Sequence, residues 1–357
     1  MIMSPTLAIV ILQYGNWRDT VACLQSLVPA VSQGTARVIV VDNASPDDSV
    51  SQLEHWMRGA HTSAPRPVHD TVARHWWPLS GAGAAWCIAD AGSSSSTLAP
   101  WTLMQANANR GFASGMNVGI RHAMGDADVD AVWLLNNDTV VDVEAVAEIR
   151  VALDDAPPMT GQFGTTVCYY DRPTILQSVG WCQWNPWLAT SHRVHDGASV
   201  TQPVLRDVKQ PGYVYGASWI LRMRAVRQVG LLSEEGFLYG EELDWSCRAS
   251  AEWGTALVPA AIVWHREGAT TGARTASGGP RSELADLCGI SARLRLTRRF
   301  FPSQLPAVYS GLFGAALNRL RRGDPRRAAA VVRLVLRGGV PAPWPVDAGA
   351  SHSSTTP

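Results

Sequence analysis

Apolar positions fall into short continuous runs separated by segments with helical spacing. Leu7–Tyr14 is a run of apolar and β-branched residues, the pattern of a strand buried on both faces. Trp17–Leu27 follows with Val21, Leu24 and Leu27 on one helical face, and Arg37–Val41 is a second buried run. Ser45 is placed to cap the next helix, with Pro46 at its first position and Asp47 and Asp48 in its first turn. Trp101–Ala106 predicts a third strand, Phe112–Met124 a helix entered from a glycine-containing loop, and Ala131–Leu135 a fourth strand. After Met159 the pattern turns more β-like and Trp-rich. Gly212–Arg222 predicts a strand, Glu241–Glu252 a helix and Ala256–Trp264 another strand. This alternation predicts an α/β fold with a doubly wound, mostly parallel sheet.

Two segments break the rhythm. Residues 60–100 are rich in Ala, Gly, Ser, Pro and Trp and predict an insertion, partly mobile. The GAGAA run at 81–85 lacks the preceding strand and third glycine of a dinucleotide fingerprint. Residues 283–340 read as Arg-studded helices, and 341–357 as a disordered tail rich in Pro, Gly, Ser and Thr.

Charge changes this picture. The formal net charge is zero, yet from Asp286 onward eleven Arg face three Asp, which is +8 and leaves −8 on residues 1–285. An acidic body suits metal-binding and catalytic carboxylates and gives no reason to expect a nucleic-acid partner. The basic end suits an anionic partner, most simply a membrane surface. The six cysteines show no CxxC pair or zinc spacing and read as buried free thiols in a reducing compartment. No apolar stretch reaches the ~18 residues of a spanning helix, and the first apolar run has no basic lead-in. A cytoplasmic chain, peripheral on the inner face of the plasma membrane, is expected.

The chemistry-bearing residues sit where these patterns end. The fourth strand stops at Asn136, Asn137 and Asp138, and the second at Asp42 and Asn43. Acids just past buried strand ends point into the crevice where open α/β sheets bind ligands. Asp138 is either a hard oxygen ligand for Mg²⁺ or Mn²⁺ or the cap of a following helix. Asp42 either accepts the imide N–H of a uracil or thymine base or closes an Asx turn. Asn109, Arg110 and Gly111 either present donors to a phosphate or make simple loop-to-helix turn chemistry. Glu241, Glu242 and Asp244 open a helix, where acids are favoured by the dipole alone; the functional alternative is a general base. Arg248, one turn on, is spaced to pair with Asp244. His265 ends an apolar strand as either a metal or phosphate ligand or a polar cap.

In order and spacing these pieces resemble an inverting family 2 glycosyltransferase of the GT-A nucleotide-diphospho-sugar transferase fold, in particular the bacterial rhamnosyltransferase-like branch. The resemblance rests on IVILQYGN, VIVVDNAS, NANRGFASGMNVGI, VWLLNNDTVV and YGASWILRMRAVRQVGLLSEEGFLYGEELDWSCR, with the terminal His265. It implies a GT-A domain over 1–275 and a basic helical extension over 283–340. A sugar, with rhamnose favoured by the branch, would pass from a dTDP- or UDP-linked donor to a glycan or polyprenyl-linked acceptor of cell-surface polysaccharide. Tyr14, Asp42, Asn43, Asn109, Arg110, Gly111, Asn137 and Asp138 would bind the donor. Asp138 and His265 would hold Mg²⁺ or Mn²⁺. Glu242, or Glu241 beside it, would be the base. Ala217, Ser218, Trp219 and Asp244 would lie on the acceptor side. The family usually carries Asn-Tyr-Asn where this chain has Gln13-Tyr14-Gly15, and often Asp where it has Glu242. The rival from another class is a non-catalytic nucleotide-sugar or glycan-binding protein on the same fold. A nucleotidyltransferase is disfavoured, because LQYGNWRDT lacks a Gly-rich loop.

Overall fold

The β-branched run at the start of the chain forms the middle of a large sheet. The computed structural model describes residues 6–59, 67, 69–75, 86–93, 95–201, 208–267 and 282–339. In chain order the first half comprises β1 (Thr6–Gln13), α1 (Trp17–Ser32), β2 (Ala36–Asp42), α2 (Ser49–Met57), α3 (Asp70–Ala73), β3 (Trp86–Asp90), β4 (Trp101–Gln105), α4 (Phe112–Met124), β5 (Val129–Asn136), β6 (Thr139–Val141) and α5 (Ala145–Asp155). The second half comprises β7 (Thr160–Tyr169), β8 (Leu176–Ser178), β9 (Trp181–Asn185), β10 (Thr190–Arg193), β11 (Gly212–Val214), β12 (Ser218–Arg222), α6 (Met223–Val229), α7 (Glu241–Ala249), β13 (Gly254–His265), α8 (Glu283–Phe300), α9 (Leu305–Arg321) and α10 (Pro325–Leu336).

The main sheet runs β3-β4-β2-β1-β5-β12-β7-β13-β6, with β8 on β7. The strands from β3 to β5 are mutually parallel, β12 is antiparallel to both β5 and β7, and β13 runs parallel to β7. Helices cover both faces. Ile9, Ile11, Val38 and Val40 pack toward α1, whereas Ala8, Val10, Ile39 and Val41 pack toward α4. Each strand thus buries both rows of side chains, which is why its sequence is continuously apolar. Register brings the strand ends level: Gln13 stands opposite Asp42, and Leu12 opposite Asn136. A second sheet of β10, β9 and β11 is antiparallel.

Four expectations change. The helix after Ser45 starts at Ser49, because Ser45 bonds back to Asp42 instead of capping forward. The 60–100 insertion supplies α3 and β3, and β3 docks on β4 through Trp86 stacked on Trp101 at 5.1 Å, with the Trp56 edge against both. Gly212–Arg222 is two strands in different sheets, parted at Tyr215-Gly216-Ala217. The cysteines are all free, but Cys87 is exposed and Cys247 half-buried. The expected tail at 341–357 lies outside the described residues.

The basic C-terminal helices pack as an ordinary subdomain. Leu294, Val308, Leu312, Val331, Leu334 and Val335 of α8–α10 share a core with Trp184, Ala189 and Leu243. An Arg319–Asp286 ion pair at 2.6 Å ties α9 to α8. Among the described residues no helix is long and apolar enough to cross a membrane.

Candidate active site

The level ends of β1, β2 and β5 open into a cavity of about 960 Å³, roomy enough for a nucleotide sugar. Tyr14, Asn43, Asn109, Gly111, Asn137 and Asp138 line one side, with His265, Ala217, Glu241 and Glu242 further along. The structure therefore brings together most of the residues singled out from sequence.

The floor is a buried amide network. Asn137 Nδ2 donates to Gln13 Oε1 at 3.1 Å and to Thr20 Oγ1 at 3.0 Å, and Thr20 in turn donates to Gln13. Asn43 Nδ2 donates to Asn109 Oδ1 at 3.0 Å, which also receives the Gly111 N–H at 3.0 Å. Gly111 has φ 101°, and a Cβ there would lie 2.3 Å from the Phe237 carbonyl oxygen, so only glycine fits. Asp42 closes the Asx turn. Its two carboxylate oxygens accept from Ser45 N and Ser45 Oγ, and Ser45 Oγ accepts the Gly15 N–H at 2.9 Å. Asp42 thus pins the β1–α1 loop to the β2–α2 loop and, buried in that turn, is not itself part of the cavity lining expected of a base-binding acid. Arg110 is exposed and lies off the cavity wall.

Asp138 and His265 meet because β6 pairs with the end of β13. His265 Nε2 is 3.1 Å from Asp138 Oδ1, and both side chains are buried. The tautomer follows from Gln177 on β8. Gln177 Nε2 donates to the His265 backbone carbonyl at 2.8 Å, so its Oε1 is the atom facing His265 Nδ1 at 2.9 Å. Nδ1 must therefore carry the proton. Nε2, the atom that faces the Asp138 carboxylate, also lies 3.3 Å from Asn136 Nδ2. Burial acts to raise the Asp138 carboxyl, but the His265 ring, a backbone hydrogen bond and the Arg266 charge together outweigh it, leaving Asp138 below its ordinary value. Arg266 adds positive charge nearby: it pairs with Asp19 at 2.7 Å, and its N–H donates to the Asp138 carbonyl at 3.1 Å.

This donor set fits a divalent ion. One carboxylate oxygen and one imidazole nitrogen converge, and the second ring nitrogen is held by a hydrogen bond, the usual support of a metal-ligating histidine. Among the described residues no group of three or more His, Cys, Asp and Glu could hold an ion alone. The remaining ligands would come from substrate oxygens and water, as suits Mg²⁺ or Mn²⁺.

The same cavity is lined by the acids Glu241 and Glu242. α7 starts after Gly240 in a left-handed conformation, presenting Glu241 and Glu242 in its first turn. Glu241 is 2% exposed, and among the described residues its Oε1 has no hydrogen-bond partner. Burial, then the Glu242 charge, raise its carboxyl to about 8. Burial also raises Glu242, which is half-buried and better placed to meet substrate. Its carboxylate occupies the space left by the missing side chain of Gly216, where a Cβ would lie 1.9 Å from Glu242 Oε1.

Three of the predicted acceptor-side residues are elsewhere. Ser218 is fully buried between Trp133 Nε1 at 2.8 Å and Thr165 Oγ1 at 2.6 Å, and Trp219 donates to Gln162 within the core. Their alternation along β12 turns both into packed layers, and Ala217 alone of the four acceptor-side residues reaches the cavity. Asp244 binds Arg248 at 2.7 Å, as its spacing predicts, and also Arg299 of α8 at 3.0 Å, so it fastens the helical extension. The cavity lining also includes Trp184 and Thr190–Arg193 of the β9–β10 hairpin and Ala292, Arg293 and Leu296 of α8. Sequence reasoning missed these, and also Gln177 and Gly216. Gly216 had a signal, since a glycine within a strand pattern marks a break or close approach. Gln177 had none, being 88 residues from the histidine it orients.

No family model matches the chain. The low-salt glycan biosynthesis hexosyltransferase Agl10 of Haloferax volcanii is 23% identical over 258 residues, covering 70% of this chain; the match spans 63% of that relative's length. GalNAc-T7, solved with UDP, GalNAc and Mn²⁺, superposes with a TM-score of 0.52 at 13% identity, covering 84% of this chain and 48% of that one. A mannosyltransferase of Pyrobaculum calidifontis, solved with GDP-Man and Mn²⁺, covers 95% of this chain and 77% of its own at a TM-score of 0.49 and 12% identity. The fold of this chain is the GT-A fold of nucleotide-sugar glycosyltransferases.

Proposed function

We propose that this chain is a metal-dependent, inverting glycosyltransferase. It transfers a hexose or deoxyhexose from a nucleoside diphosphate to a hydroxyl of a glycan or lipid-linked acceptor. The observation that carries the reading is one cavity lined both by the Asp138–His265 contact and by the Glu241–Glu242 pair, with Glu242 seated against Gly216. The hexosyltransferase relative supports the reaction class. Rhamnose and a dTDP donor rest on the family resemblance alone.

The donor nucleotide lies over the ends of β1, β2 and β5, between Tyr14, Asn43, Asn109 and Asn137. Asp138 and His265 Nε2 would hold a divalent ion, which when bound supplies positive charge to the departing diphosphate. Glu242 takes the proton of the acceptor hydroxyl as its oxygen bonds to the anomeric carbon. The bond from that carbon to the diphosphate oxygen breaks on the opposite face, and the nucleoside diphosphate leaves with the electron pair. Glu241, its carboxyl raised to about 8, keeps its proton at neutral pH, so the adjacent charge on Glu242 is not doubled.

The test is a donor screen with dTDP-, UDP- and GDP-sugars and Mg²⁺ or Mn²⁺, reading nucleoside diphosphate release with glycan and lipid-linked acceptors. Release with one donor, abolished in Glu242→Gln and Asp138→Ala, is expected, with inverted anomeric configuration in the product. Retained configuration would exclude the scheme. Nucleotide binding without turnover across the whole panel would favour a binding protein.

A further inference from the structure

α9 packs on its neighbours through Val308, Leu312 and Ala316, yet it carries a second apolar stripe that nothing among the described residues covers. Phe313, Leu317 and Leu320 are 44%, 47% and 53% exposed, and their spacing places them on one face of the helix. Leu336 at the end of α10 is 74% exposed. Single exposed apolar residues are ordinary; three in register on one helix are not.

The charge around this stripe has one sign. Between Leu305 and Gly339 there are seven Arg and a single acid, Asp324. Arg319 is paired with Asp286, and Arg327 with Asp324, which also caps α10. Arg321, Arg322, Arg326, Arg333 and Arg337 are exposed, and among the described residues none has an acidic partner. Arg326, Arg333 and Arg337 recur on one face of α10, and Arg321 borders the apolar stripe of α9. Arginines bordering exposed Phe and Leu are the composition of a helix lying in the interface of an anionic bilayer, with apolar side chains among the acyl chains and guanidinium groups at the phosphates.

We infer that the exposed face of the α9–α10 hairpin docks the protein on an anionic phospholipid surface. This is independent of which residue is the catalytic base. It would place the cavity, whose wall includes Ala292, Arg293 and Leu296 of the adjoining α8, close to lipid-linked substrates.

The experiment uses the full chain and flotation with two sets of vesicles. One contains equal parts phosphatidylglycerol and phosphatidylcholine, the other phosphatidylcholine alone. Binding to the anionic vesicles only, weakening as salt is raised, is expected. Arg326→Gln with Arg333→Gln should lower partitioning more than tenfold, at roughly fivefold per charge. Leu317→Ser with Leu320→Ser should lower it on both counts of area and depth. All four positions are exposed, so thermal melting of these variants should match wild type. Absence of binding, equal binding to both vesicle types, or unchanged binding in both double variants overturns the inference. So does a concentration-dependent dimer abolished by Leu317→Ser without vesicle binding, which would assign the stripe to a second copy.

Discussion

Gly216→Ala separates folding from chemistry at this site. The added Cβ would lie 1.9 Å from Glu242 Oε1, 2.9 Å from its Cδ and 3.2 Å from its Cγ. Ordinary contact begins at 3.4 Å, so the carboxylate must retreat by about 1.5 Å. Glu242 can do so by rotating, because the clash is with the end of a flexible side chain and not with backbone. The backbone at Gly216 lies outside the left-handed region, so alanine is conformationally acceptable there. Stability should therefore hold or rise slightly, by up to about 1 kcal/mol from reduced freedom of the unfolded chain. Catalysis should not hold. A misplacement of about 1 Å can cost ~100-fold in rate, and a general base supplies ~100- to 10,000-fold in all. The expected result is a fall in kcat of roughly 100-fold, with the donor dissociation constant unchanged in calorimetry and the melting temperature retained. Turnover of Gly216→Ala within a few-fold of wild type would refute the reasoning, because Glu242 could not then be working from the position it occupies here.

Gln177→Leu should weaken Mn²⁺ binding in the presence of nucleoside diphosphate by roughly 10- to 100-fold, since it frees the His265 ring to rotate; electron paramagnetic resonance titration reads this, and unchanged affinity would show that the tautomer is held otherwise. Asp244→Ala should cost about 3 kcal/mol or more in urea unfolding, because it strips two arginines of a buried partner, while the acceptor KM stays put. Glu241→Gln should gain stability over wild type as pH rises. The native carboxyl, raised to about 8, keeps its proton while the unfolded one releases it near 4.5, so wild type loses stability between those values and the difference levels off above them. Melting temperatures of both proteins across that range give the answer, and parallel curves would place the Glu241 carboxyl in a less buried setting. Activity should lose its acid limb above the ordinary carboxylate range, because burial raises Glu242.

The strands that carry the donor end of the site were legible because of how they are buried. β1, β2 and β5 bury both rows of side chains, so the apolar run ends where the sheet ends, and Asp42, Asn43, Asn137 and Asp138 mark that edge. Their long-range consequences were less visible. Asp42 closes a turn within three residues, so turn chemistry and base recognition read alike in sequence. Gly212–Arg222 looked like one strand because apolar residues stand on both sides of Gly216, yet the break there makes room for Glu242. The resemblance implied Ser218 on the acceptor side, whereas two side chains from β5 and β7 satisfy it inside the core. The Asp244–Arg248 pair followed from helical spacing; the second partner, Arg299, lies 55 residues away and follows only from the packing of α8 on α7.

His265 is joined to the segment that seats Glu242 through one short polar chain. Gln177 Oε1 accepts from His265 Nδ1 and, at 3.3 Å, from the Tyr215 hydroxyl. Tyr215 also receives Arg193 at 3.3 Å, and Arg193 is held at 2.8 Å by Glu267, two residues beyond His265. Tyr215 immediately precedes Gly216, whose missing side chain seats Glu242. The segment that gives Glu242 its place is thus tethered to the residue that orients His265. A buried polar network of this kind holds its members rigidly only while each is satisfied. Loss of Gln177 would therefore loosen the Tyr215–Gly216 break as well as the histidine. In the proposed mechanism, positioning of the diphosphate and of the base would therefore be one structural problem, met at the point where a single predicted strand divides between two sheets.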